Sequence, residues 1–346
     1  MNYAIIGCGL IGEKRLVGLP ADSKLVVACD TNLSRAEKLV KLANAGWAVA
    51  DFNAAVSDPQ VNAVIVAVIN AALAEVSAAA IRAGKHVIVE KPAGVSVKQI
   101  DELIALAKAH GVCVRAGFNH RYHPAFLKAR EIFESGVMGD LMFIRARYGH
   151  GGRVGYDREW RADPKLSGGG ELMDQGIHLI DLAGWFLGKF TRADGHVATY
   201  FWDMPVDDNA FLDLRTAQGR TAWLHVSCTE WKNLFSFEIY GRNAKLHIEG
   251  LGGSYGVEIL YHHQMKPEMG PPDTRLYEFP GPDESWRNEM MEFEKDVELK
   301  RKPVAGLAEV RAALRVVEKI YRKSGFRFDS ALANHEPLNP EAKPRS

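Results

Sequence analysis

The chain has 346 residues, 47% apolar and 25% charged, a length and balance that suit a soluble globular protein of two domains. Lys plus Arg and Asp plus Glu both number 43, so no overall charge field favours nucleic acid or an anionic membrane as partner. Cys8, Cys29, Cys113 and Cys228 show no CxxC spacing and read as reduced thiols of a cytoplasmic protein. The opening MNYAIIG enters a strand with no leader-like segment before it, and the longest apolar run (63–74) is interrupted by Asn70 and too short to span a bilayer.

In chain order, the first 118 residues alternate short apolar strands with helical segments. The runs 2–6, 24–30, 62–68, 86–90 and 112–117 have almost no polar alternation, which predicts strands buried on both faces of a parallel sheet. GCGLIG (7–12) lies between the first strand and a helix, the context that makes a GxGxxG informative. Gly7 permits the turn, Gly9 lets backbone approach a pyrophosphate, and Gly12 allows close helix–strand packing, with Leu10 and Ile11 opening the helix. Asp30 ends the second strand, where a carboxylate binds adenosine ribose hydroxyls and repels a 2′-phosphate. NAD is therefore expected over NADP, although Arg35 stands nearby. Ser96 and Gln99 predict a capping box for the helix that Gly111 ends.

After residue 140 the strands are longer and alternate: 141–150, 197–202, 209–216, 220–231, 234–241, 244–250 and 257–263. They predict a large, open, mainly antiparallel sheet with one face packed on helices. Helices are expected at 171–187, 285–299 and 307–324, the last of them returning to the first domain. The resulting division is an N-terminal Rossmann doubly wound domain over 1–120, a C-terminal α+β domain over 121–330, and a mobile polar tail over 331–346.

Two stretches carry candidate chemistry in the second half. In GGGELMDQGIHLIDL (168–182), Asp174, His178 and Asp181 fall at about 300°, 340° and 280° on a helical wheel started at Glu171. This polar arc is either a solvated face with a weak ion pair or a catalytic pair facing a pocket, and the helix alone does not decide. The loop 147–170 carries Arg153, Tyr156, Arg158, Trp160 and Arg161. These either grip a phosphorylated or nucleotide-linked sugar or pair with Asp157, Glu159 and Asp163 on the surface. Arg121, Tyr122 and His123 read as further substrate contacts or as a helix cap.

Together, GCGLIG, AGKHVIVEKP (83–92), GFNHRYHP (117–124) and GGGELMDQGIHLIDL resemble the glucose–fructose oxidoreductase, inositol dehydrogenase and rhizopine-catabolism family, over nearly the whole chain and in the right order. The resemblance implies a Rossmann domain followed by an α/β domain whose open sheet often makes oligomer contacts, here a homodimer or homotetramer. It implies hydride transfer between a secondary alcohol of a sugar and the nicotinamide, with no metal. Carried over, Lys91 sits beside the nicotinamide, and Asp174 and His178 face it across the substrate. His178 takes the hydroxyl proton near neutrality, Lys91 stabilises the alkoxide, and Asp174 holds His178 or the neighbouring hydroxyl in place. Asn70 and Glu90 join the cofactor-lining set. A zinc site built on Asp174, His178 and His120 or His123 is the minor alternative. A free-sugar or inositol dehydrogenase and a non-catalytic NAD-binding regulator are the functional alternatives. One departure stands out: where the family has Thr-Pro-Asn and then a histidine, this chain has Val68, Ile69, Asn70 and Leu73.

Overall fold

The computed structural model describes residues 1–326; the segment expected to be a mobile tail lies outside the described residues. The first half builds β1 (Asn2–Ile6), α1 (Leu10–Val17), β2 (Lys24–Cys29), α2 (Leu33–Ala43), β3 (Trp47–Val49), α3 (Phe52–Ser57), β4 (Ala63–Val66), α4 (Asn70–Arg82), β5 (His86–Glu90), α5 (Val97–His110) and β6 (Val114–Gly117). All six strands are parallel, in the order β3-β2-β1-β4-β5-β6. That is the doubly wound order, with its reversal between β1 and β4, so the ligand crevice opens at the carboxyl ends of those strands. β4 reads AVIV and all four residues are fully buried, as strands covered on both faces must be. Sequence reading passed over β3 because it is a three-residue edge strand with Trp47 exposed.

A 3₁₀ turn (Asn119–Tyr122) and α6 (Pro124–Glu134) lead into β7 (Leu141–Gly149), α7 (Pro164–Ser167), a π-helical turn (Leu172–Gly176) and α8 (Ile177–Leu187). Next come β8 (Phe190–Ala198), β9 (Asn209–Thr216), β10 (Thr221–Ser227), β11 (Leu234–Gly241), β12 (Ala244–Glu249), β13 (Glu258–Gln264) and β14 (Asp273–Phe279). They form an eight-stranded sheet, β14-β13-β12-β11-β7-β10-β9-β8, antiparallel except where β7 and β10 run together. Of the edge strands, β8 differs from its expected bounds and β14 was not expected. β8 begins well before the expected 197–202, and β14 reads DTRLYEF, mostly exposed and without a clear apolar face. Residues 200–202 instead turn over Asp208, whose carboxylate accepts from the Tyr200, Phe201 and Trp202 amides.

The last helices, α9 (Ser285–Glu298) and α10 (Leu307–Lys323), return along the molecule. α9 covers the first sheet, placing Met290 and Phe293 in the cluster of Tyr3, Ile5, Leu25 and Leu39. The chain between them passes beside β6, where the Ala116 amide donates to the Ala305 carbonyl (3.0 Å). No helix of the described residues is long and apolar enough to cross a membrane.

Candidate active site

At the carboxyl end of β1, Gly7 has φ +94°, and a Cβ there would stand 2.3 Å from the Ala67 carbonyl oxygen. A Cβ on Gly12 would stand 2.1 Å from the Gly7 oxygen, so α1 rests directly on the turn. A Cβ on Gly9 would meet nothing within 4 Å. The turn is thus packed behind and open in front, and the first amides of α1 have no intrahelical partners, which fits an entering pyrophosphate. The Asp30 carboxylate accepts from the Cys8 amide (2.8 Å) and the Asn32 amide (2.9 Å), tying the glycine loop to the end of β2 while keeping lone pairs for ribose hydroxyls. Leu10 is exposed and Ile11 half-buried at the mouth.

Two residues expected to line the cofactor are engaged elsewhere. Glu90 accepts from Arg15 Nε (2.6 Å), and Arg15, fully buried, also reaches Glu289 (2.7 Å). That triad locks α1, β5 and α9 together and turns Glu90 away from the crevice. Asn70 is buried and donates to the Ser167 carbonyl (2.8 Å), joining α4 to the segment before the π-helical turn. Leu73, where the family carries a histidine, is fully buried on α4.

Lys91 follows β5 through a cis Lys91–Pro92 peptide. Its Nζ donates to the Asp174 carboxylate and to the Asp174 carbonyl (2.7 Å). Arg161 donates to the other carboxylate oxygen (3.1 Å). Burial alone would raise the Asp174 carboxyl, but Lys91 and Arg161 outweigh it and hold it well below the usual carboxylate range. Asp174 therefore fixes Lys91, not His178. The expected regular helix is also interrupted: the π turn over 172–176 takes an extra residue, so the α-helical wheel does not carry across it. A Cβ on Gly170 would stand 2.0 Å from the Asp207 carbonyl oxygen. The buried Asp207 carboxylate accepts from the Gly170 and Leu172 amides (3.0 and 2.8 Å) and from Tyr321 Oη (2.7 Å), anchoring the start of this turn.

His178 is held by rings. Its imidazole stacks on His120 (centroids 3.7 Å apart, 14° between planes) and meets the edge of Phe118. Nδ1 is buried with no hydrogen-bond partner. Burial, reinforced by the positive charge of Lys91 and by His123, lowers its pKa well below 6.5. His120 bonds Asn119 and Tyr148 (3.1 and 3.2 Å) and is shifted the same way, mainly by burial. His120 was weighed in the sequence only as a metal ligand, and this stacking has no sequence signature. Asp174, committed to two cations, is electrostatically unsuited to a metal, and no group of three or more His, Cys, Asp or Glu among the described residues is arranged to hold one.

The remaining expected substrate residues divide. Tyr156, Trp160 and Arg161 line one pocket with Asp174, Glu171 and Asn70. Arg153 is exposed and pairs with Glu159 (2.6 Å), while Arg158 projects into solvent 4.0 Å from Asp157. Arg153 and Arg158 thus follow the surface-pairing alternative, Arg161 turns inward to Asp174, and the three form no convergent phosphate clamp. Arg121 and Tyr122 are also corrected. Arg121 makes a buried two-pronged pair with Asp181 (2.7 and 2.6 Å), and Tyr122 accepts from buried Arg115. The residues after Phe118 therefore back the polar side of α8, with His120 under His178 and Arg121 on Asp181.

Comparison with known proteins agrees with this anatomy. Residues 1–118 match the oxidoreductase family with NAD-binding Rossmann fold, and residues 126–247 match the GFO/IDH/MocA C-terminal domain. The chain is 25% identical to levoglucosan dehydrogenase of Pseudarthrobacter phenanthrenivorans over 63% of its own length and 59% of that protein's. It is 27% identical to inositol 2-dehydrogenase 2 of Saccharopolyspora erythraea (63% and 64%). It is 30% identical to dTDP-3,4-didehydro-2,6-dideoxy-alpha-D-glucose 3-reductase of Actinomadura kijaniata (65% and 67%). In fold it superposes on levoglucosan dehydrogenase in complex with NADH and levoglucosan with a TM-score of 0.84 at 21% identity, covering 94% of this chain and 97% of that one. With both halves matched in order on the expected two-sheet architecture, the chain belongs to the Gfo/Idh/MocA family of NAD-binding oxidoreductases.

Proposed function

We propose that the protein moves a hydride between a secondary alcohol of an uncharged polyhydroxylated ring and NAD, with Lys91 and His178 acting on the reacting oxygen. The observation that carries this reading is Lys91, clamped by Asp174 at the end of β5 and near enough to the buried His178 to lower its proton affinity. The bound dinucleotide supplies the hydride acceptor at nicotinamide C4. For the alcohol to lose hydride, its oxygen must lose a proton and its developing charge must be stabilised. Lys91 offers three donors, of which Asp174 takes two directions, leaving one for the alkoxide. His178 presents Nε2, which has no protein partner, as the proton acceptor. Arg153 and Arg161 already pair with Glu159 and Asp174 and Arg158 points to solvent, which favours a free polyol or sugar over a nucleotide sugar. A scan of NADH formation against polyols, aldoses and nucleotide sugars tests the reading. Turnover of free polyols supports it, and preference for nucleotide sugars redirects it. Tight NAD binding with no turnover of any of them supports the regulator.

NAD is the proposed cofactor because Asp30 faces the ribose position without a basic clamp. NAD(H) is expected to bind at least about tenfold tighter than NADP(H), and Asp30→Ala to shrink that gap. Calorimetric affinities that are equal in the unmodified protein would remove Asp30 from this role.

A homodimer or homotetramer through the outer face of the second sheet is also proposed. That face carries exposed Trp223, the Phe211–His225 stack and the Phe143–Tyr240 stack. Trp223→Glu should shift the sedimentation coefficient to that of a smaller species, and a wild-type monomer would refute the assembly. The four unpaired cysteines support a cytoplasmic location, which cell fractionation would check.

A further inference from the structure

We propose that Glu171 and His150 form a second polar grip in the active-site wall, holding a substrate hydroxyl other than the one that is oxidised. The proposal rests on the hydride-transfer reading and deepens it by requiring a substrate with at least two hydroxyls.

Glu171 opens the π-helical turn that carries Asp174, and its side chain is 2% exposed in the wall shared with Asp174, Tyr156 and Arg161. Its Oε1 is buried and has no hydrogen-bond partner. A buried carboxyl oxygen without a partner is costly, and a site that keeps one is explained when a ligand completes it. His150 Nε2 stands 3.6 Å from this oxygen. The Gly152 amide donates to His150 Nδ1 (3.0 Å), so Nδ1 is the acceptor and the neutral ring carries its proton on Nε2, facing Glu171. The neighbouring cations are already committed: Lys91 and Arg161 both bind Asp174, which leaves Glu171 outside the ion-pair network.

The groups facing Glu171 decide its charge. Burial, with Asp174 and Asp207 adding to it, raises its carboxyl well above the usual range, against the pull of Lys91 and Arg161. Tyr148, Tyr156, Tyr255 and Cys228 also face it and carry no charge near neutrality, each being pushed upward mainly by burial. Burial also lowers His150, with Asp174 and Glu159 pulling up and Arg161 and Arg153 down. The shift favours the protonated acid, in which form the pair offers an acid O–H, a carbonyl oxygen and an imidazole N–H. That set complements a hydroxyl, which both donates and accepts. It does not complement a phosphate, for which cations are needed.

The test compares wild type, Glu171→Leu, Glu171→Gln and His150→Phe on free polyols and aldoses, each paired with its mono-deoxy analogues, with melting temperature as the folding check. Glu171→Leu should raise KM at least tenfold while kcat changes less than threefold, and Glu171→Gln should stay within threefold of wild type. For one deoxy analogue, wild type and Glu171→Leu should have the same KM, because the hydroxyl that the grip holds is gone. If Glu171→Leu fails to fold, His150→Phe, which removes the Nε2–H, is read by the same criterion. Folded variants with wild-type KM on every polyol overturn the grip and leave the hydride-transfer reading standing. A wild type that oxidises none of the polyols, aldoses or nucleotide sugars overturns both.

Discussion

Lys91→Ala and His178→Ala should each lower kcat by about 10²–10⁴-fold, the range expected when charge stabilisation or a general base is removed from a reacting oxygen. Neither loss is an unfolding effect if the fraction folded is measured alongside. Lys91→Ala leaves a partly buried Asp174 with Arg161 alone, and His178→Ala leaves a void beneath His120. Each should cost about 1–3 kcal/mol of stability, enough to lower the melting point but not to unfold the protein at assay temperature. Asp174→Asn keeps Lys91 hydrogen-bonded but unneutralised, and its loss should be comparable or smaller. The pH profile separates His178 from a structural residue. Oxidation needs the neutral ring, and its pKa in the fold lies well below 6.5, so the rate should be flat in this group across neutrality and fall only on the acid side. That limb disappears in His178→Ala. Between 6.5 and the folded value the unfolded chain binds the extra proton, so stability also falls as pH drops through that window. Full turnover in His178→Ala would remove the ring from the mechanism.

Arg121→Ala should cost about 3–5 kcal/mol of stability, because it strands the buried Asp181 carboxylate. Arg121 also donates to the Val304 carbonyl (3.1 Å) and lies 5.3 Å from the Trp185 ring centre, so three contacts go at once. Burial already raises Asp181. Without its partner the group favours the protonated form further, so the destabilisation should be worse at pH 8 than at pH 5. Arg121→Met with Asp181→Leu should recover most of the loss, since an apolar pair of similar volume replaces a buried ion pair at little cost. Denaturant titration of the single and double variants measures this directly. A raised KM with unchanged stability in Arg121→Ala would instead return Arg121 to the substrate site.

The parallel sheet was legible because buried strands write themselves as unbroken apolar runs, and the glycine loop because only glycine fits against Ala67 and under Gly12. Lys91, Asp174 and His178 were legible as a motif, but not their connections. Asp174 reaches Lys91 across 83 residues of sequence, and the π turn breaks the wheel that seemed to place Asp174 beside His178. Arg121, His120 and Asp207 take their roles from contacts at least 60, 28 and 35 residues away, between elements whose packing no local pattern specifies. Glu171 looked like an ordinary helix-opening acid, and only its burial makes it unusual.

The central claim is hydride transfer from carbinol carbon to nicotinamide, and isotope transfer tests it most directly. The wild-type protein is incubated with NAD and carbon-deuterated free polyols, and the NADH formed is analysed by mass spectrometry. One deuterium at nicotinamide C4 is expected, formed at a rate that falls with Lys91→Ala and His178→Ala. No NADH, or NADH without deuterium, would contradict it.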